Sequence, residues 1–115
     1  MSKPFELQDI GSLLDGLERA ADATSVQEIA RSPFSATTLI SLTSNTEYSL
    51  PETPHEERVI LVLEGHATVT VDKTRQTLGS GHLLFAEPGA TITVWNESSE
   101  RWSAISVVTP PVPST

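Results

Sequence analysis

Three histidines, a scatter of glutamates and Arg58 hold most of the chemistry this sequence could offer. His55 stands in the loop Pro51-Glu-Thr-Pro-His-Glu-Glu57, immediately before an apolar run. Imidazole suits zinc, iron and nickel, so His55 with Glu57 and His82 could supply three ligands to a metal. The preferred reading is a solvated loop histidine beside Glu56 and Glu57. His66 follows a turn glycine, where an exposed polar residue is expected, and His82 follows Gly81 as a turn-closing polar residue. Glu52, Glu56, Glu57 and Glu87 could form a paired-carboxylate site, but no spacing selects a pair. Gly79-Ser-Gly81 leads into a strand rather than a helix, which excludes a phosphate loop. No serine stands in a nucleophile elbow. The chain has no cysteine, which removes disulfides, thiolate zinc sites, iron–sulfur clusters and cysteine nucleophiles together.

These residues need elements to position them. The chain has 115 residues, enough for one domain that buries roughly two-thirds of its unfolded surface. Its 15 acidic and 7 basic side chains give a net charge of −8, with no basic stripe, so nucleic acid and anionic membrane surfaces are not expected as partners. The apolar run Val59–Leu63 is far too short to span a bilayer. The first residues lack the apolar core of a signal peptide, and the expected location is cytoplasmic. Ile10, Leu13, Leu14, Leu17 and Ala21 recur at helical spacing, which predicts a short amphipathic helix over roughly Asp9–Ala21, capped by Asp9 or Ser12.

Beyond Asp22 the period becomes strand-like. About nine short strands are expected: 25–31, 35–44, 47–50, 58–63, 67–71, 76–78, 83–86, 91–95 and 102–109. With no helix between them, they indicate an antiparallel sandwich or small barrel. Three segments result: a helical stretch over 1–23, a β-barrel over 24–109, and a Pro-rich tail over 110–115. Val59–Leu63 is apolar on both faces, so a central strand covered on both sides is expected there.

The strand order and its glycine punctuation resemble the cupin superfamily. Arg58-Val-Ile-Leu-Val-Leu-Glu64-Gly65 is similar to the end of the first cupin motif. Gly79-Ser-Gly81-His-Leu-Leu-Phe-Ala-Glu-Pro88-Gly89, with Asn96 beyond it, is similar to the second. The resemblance implies an all-β fold, a double-stranded β-helix or jelly-roll barrel, with a short helix in front. It does not fix a function, because this barrel carries many. Metal-binding cupins place a glutamate where this chain has Arg58. Their histidine pair falls on Glu52 and Pro54, or on Pro51 and Thr53, and their third histidine on Ile92. The chain therefore resembles small single-domain cupins without the usual metal ligands, and ligandless barrels such as the C-terminal barrel of class I mannose-6-phosphate isomerases.

In that register Arg58 points into the barrel mouth, where an unpaired guanidinium is costly. An internal ion pair with Glu52, Glu47 or Glu87 is expected, and the alternative is an anchor for a carboxylate or phosphate. Arg58, Glu52, Glu87 and Trp95 are the candidate ligand-binding residues, with no cofactor and no metal expected. Two functional readings stand. One is a non-catalytic homodimer that binds a small organic ligand or serves as a structural or regulatory module. The other is a small isomerase- or oxygenase-type enzyme, acting on sugar-like or small organic acid substrates through an irregular metal site at His55.

Overall fold

The structure, a computed structural model, describes residues 5–20 and 23–111. Helix α1 (Ile10–Ala20) begins where Asp9 caps it: the carboxylate accepts the Ser12 amide at 3.2 Å and the Ser12 hydroxyl at 3.0 Å. Those bonds hold the Asp9 carboxyl below its ordinary pKa. Ile10, Leu13 and Leu14 are half-buried, as is Leu17, while Ser12, Asp15 and Gly16 face out, so one helical stripe is covered. Ala21, the expected last turn, lies outside the described residues, as does the tail from residue 112.

Nine strands follow: β1 (Thr24–Arg31), β2 (Ala36–Leu42), β3 (Thr46–Ser49), β4 (Glu57–Glu64), β5 (His66–Val71), β6 (Thr74–Gly79), β7 (Leu83–Ala86), β8 (Ile92–Asn96) and β9 (Trp102–Thr109). They form a five-stranded sheet in the order β1-β2-β9-β4-β7 and a four-stranded sheet in the order β3-β8-β5-β6. The described pairings are all antiparallel. The fold is all-β, a jelly-roll barrel of two sheets with one short helix ahead of it.

Alternation decides what each strand gives the interior. In β4, Arg58, Ile60 and Val62 are buried between the sheets, while Val59, Leu61 and Leu63 point outward. The core between the sheets joins Ile40, Leu42, Ile60, Val62, Val69, Val94 and Ala104 around Trp102, whose indole nitrogen donates to the Leu78 carbonyl at 3.0 Å. The outward face of β4 is not sealed by the described part of the chain: Leu61 is 39 % exposed.

Two residues fix the corners. The Asn96 amide nitrogen donates to the carbonyls of Leu42, Thr43 and Glu100 at 3.1, 3.1 and 2.8 Å, tying the β8–β9 turn to the end of β2. Gly65, at φ +79°, turns β4 into β5 beside the bulge between Val62 and Glu64; a Cβ there would stand 2.3 Å from the Arg101 carbonyl oxygen.

Candidate functional site

One end of the barrel interior holds a cavity of about 230 Å³. β1 and β2 reach it with Val26, Glu28, Arg31, Ala36, Thr38 and Ile40, and β9 with Val108. From the other sheet come Tyr48 of β3 and, just past it, Leu50 and Pro51. Arg58 lines the cavity from β4. Glu28, Arg31 and Val26 are exposed, which places the opening at the β1 side.

Arg58 is 6 % exposed, consistent with the inward direction that the count to Gly65 requires. Its Nη1 donates to the Ser106 hydroxyl at 2.7 Å and its Nη2 to the Pro51 carbonyl at 3.1 Å. The expected internal ion pair is not formed: among the described residues no carboxylate pairs with Arg58, and Glu47, Glu52 and Glu87 are all exposed. The cause is register. Glu47 alternates with the inward Thr46 and Tyr48 of β3, Glu87 follows the inward Ala86, and Glu52 lies in the loop next to the buried Thr53. Burial pushes the Arg58 guanidinium below its ordinary pKa, yet an arginine stays charged at neutral pH. Burial also raises the half-buried Tyr48 phenol, and the positive charge of Arg58 partly offsets that rise. At the opening, Arg31 and Glu28 form an ion pair at 2.7 Å, which lowers the glutamate's pKa and raises the arginine's.

The other sequence candidates lie elsewhere. Trp95 alternates with the core residues Ile92 and Val94, so it is half-buried on the outer side of β8, away from Arg58. His55 is exposed in its loop, and its backbone amide donates to the Glu56 carboxylate at 3.2 Å. His66 is exposed, and His82 closes its turn by accepting the Gly79 amide on Nδ1 at 2.9 Å. Glu57 is exposed at the start of β4. Among the described residues no three His, Asp or Glu side chains are grouped so as to hold a metal ion, so His55, Glu57 and His82 are not brought together.

A metal of the kind the barrel often holds does not fit the interior residues. A buried guanidinium stands where a carboxylate ligand would be, and Ile92, where the third histidine would be, is packed in the apolar core at 3 % exposed. Reading the sequence missed Tyr48, Ser106 and the contribution of β1. The signal was available in the alternation of Val26 and Glu28 along β1 and in the chain's single tyrosine on a short strand.

The comparisons agree on architecture. TT1209 from Thermus thermophilus superposes with a TM-score of 0.76 over 94 % of this chain and 100 % of its own, at 23 % identity. An uncharacterized conserved protein with a double-stranded beta-helix domain from Klebsiella pneumoniae gives 0.73 over 78 % of this chain and 79 % of its own, at 20 % identity. A predicted oxalate decarboxylase from Thermotoga maritima gives 0.69 over 75 % of this chain and 79 % of its own, at 11 % identity. At such identities these likenesses speak to fold alone. No curated protein matches the sequence. The cupin domain model matches residues 41–108, more than half of the sequence, so the chain belongs to the cupin family.

Proposed function

We propose that this cupin is a non-catalytic module that binds a small organic anion in its barrel, with Arg58 as the anchor and no metal. One observation carries the reading: a guanidinium 6 % exposed, bonded only to a hydroxyl and a carbonyl among the described residues, lines a cavity open to solvent. A buried cation without an anion is expensive, and a ligand carboxylate or phosphate would supply the missing charge in the geometry a guanidinium fork accepts. Thermal shift and calorimetry with a panel of small carboxylates and phosphates test it. At least one anion should stabilise the wild type and leave Arg58→Met unaffected; an absence of any Arg58-dependent binder would overturn the reading. Elemental analysis of protein purified without chelator should find no stoichiometric transition metal, and near-stoichiometric zinc, iron, manganese or nickel would refute the metal-free part.

The outer face of the five-stranded sheet favours a second element of the proposal, a homodimer. Phe85, Val59 and Val107 form one row across β7, β4 and β9, and Leu83, Leu61 and Ile105 form the next. Leu83 is 62 % exposed and Phe85 52 %. Both rows are uncharged, so this face can meet its own copy about a two-fold axis through its apolar centre.

A further inference from the structure

We infer that the ligand is a monocarboxylate with a short apolar body, and that Glu28 at the opening selects against a second negative charge. This rests on the anion-binding reading of the same cavity and narrows it by size, charge and lining.

The volume of about 230 Å³ lies below the range of roughly 300–1,000 Å³ usual for pockets that take drug-sized molecules. The charge inside is one positive unit. Arg58 has no carboxylate partner among the described residues, whereas Arg31, the other cation of the lining, is paired with Glu28 at 2.7 Å. One carboxylate on Arg58 neutralises the interior. A dicarboxylate or a phosphate ester dianion would bring a second negative charge for which the lining offers no uncompensated cation, because Glu28 already neutralises Arg31.

The lining argues for the ligand's other end. Val26, Ile40, Leu50 and Val108 present aliphatic surface, with the Tyr48 ring beside them, so a hydrocarbon body is accommodated by burial. The uncharged polar side chains of the lining are Tyr48 and Thr38, whose hydroxyls can donate to or accept from a single hydroxyl on that body. A polyhydroxylated sugar would leave most of its hydroxyls against aliphatic walls.

Calorimetry with hexanoate and benzoate, their neutral amides, succinate and phenyl phosphate tests this. The two monocarboxylates should bind the wild type at least tenfold more tightly than the amides, succinate or phenyl phosphate, and Arg58→Met should abolish that binding while circular dichroism stays native. Glu28→Gln should strengthen succinate and phenyl phosphate several-fold and change benzoate little. Dianions binding the wild type as tightly as benzoate, or amides matching their acids, would overturn the inference. If dianions bind through Arg58 and monocarboxylates do not, the anion site stands and the inference fails. If no anion binds through Arg58, both fail. Should Arg58→Met not fold, Arg58→Lys, which keeps the charge but loses the fork, must weaken benzoate at least fivefold; unchanged affinity in a folded Arg58→Lys would equally refute carboxylate recognition by the guanidinium.

Discussion

Arg58 is held by one hydroxyl and one carbonyl, neither of which carries a charge, and the carbonyl belongs to Pro51, in the loop that follows β3 along the cavity wall. Replacing Arg58 by methionine removes a desolvated cation but leaves the Ser106 hydroxyl and the Pro51 carbonyl to find other partners. The two effects are of similar size, so Arg58→Met should unfold in urea within about 1 kcal/mol of the wild type. A loss of several kcal/mol would show that Arg58 is a structural tie rather than a binding group. Tyr48 reports on the same charge from the other sheet. It is the chain's single tyrosine, so its phenolate absorbance can be followed without overlap from a second one. Burial raises its pKa above the ordinary 10.0, and the nearby guanidinium partly offsets this. Because the folded value exceeds the unfolded one, the stability Tyr48 contributes is complete below about pH 10 and is lost as pH climbs through the folded value. Saturation with a carboxylate ligand should move the titration higher still, since it neutralises the one charge that favours the phenolate. A titration that ligand leaves unmoved would place the ligand away from Arg58.

At the scale of elements, the β4–β5 turn shows how little freedom the strands have. Gly65 sits at positive φ with the Arg101 carbonyl pressed against it, so Gly65→Ala meets both a left-handed backbone and a clash of 2.3 Å. It should cost about 3 kcal/mol or more in chemical denaturation. A milder loss would mean that the β9 backbone can retreat. The glycines and the strand periods were also what made the fold legible beforehand. Alternation needs no structure to read: Ala67-Thr-Val-Thr-Val71 and Thr91-Ile-Thr-Val-Trp95 each show one face inward, and the nine expected strands match the nine observed within a few residues at their ends. The count from Gly65 to Arg58 gave the side chain's direction through the resemblance to the first cupin motif, since Arg58 stands where that motif has its inward glutamate. Its partners were not legible. Ser106 lies 48 residues away and reaches Arg58 only through the pairing of β4 with β9, and Tyr48 only through the closure of one sheet over the other. Trp95 illustrates the opposite error: a large aromatic suggests a cavity wall, but its place in the alternation of β8 turns it outward. Side-chain type marks candidates, whereas pairing between distant strands decides which of them meet.

For the molecule as a whole, the apolar rows on the outer sheet face set the expected state of association. A mass near twice the 12.4 kDa chain is expected by light scattering at micromolar concentration. Phe85→Asp or Leu61→Glu should bring it to the monomer mass, because a carboxylate in the centre of an uncharged interface has no partner. A wild-type mass of one chain at all dilutions would refute the dimer. The cavity lies on the other face of the same sheet, so the two sites do not compete for surface. The residues that match the cupin family begin at 41, so β1, which carries Glu28, Arg31 and Val26, stands outside the matched barrel and occupies the sheet's edge. An edge strand is bonded on one side only, and substitutions along its exposed face leave the sealed core around Trp102 untouched. On the anion-binding reading, ligand preference can therefore change through substitutions in this one bordering strand while Arg58 and the barrel stay fixed.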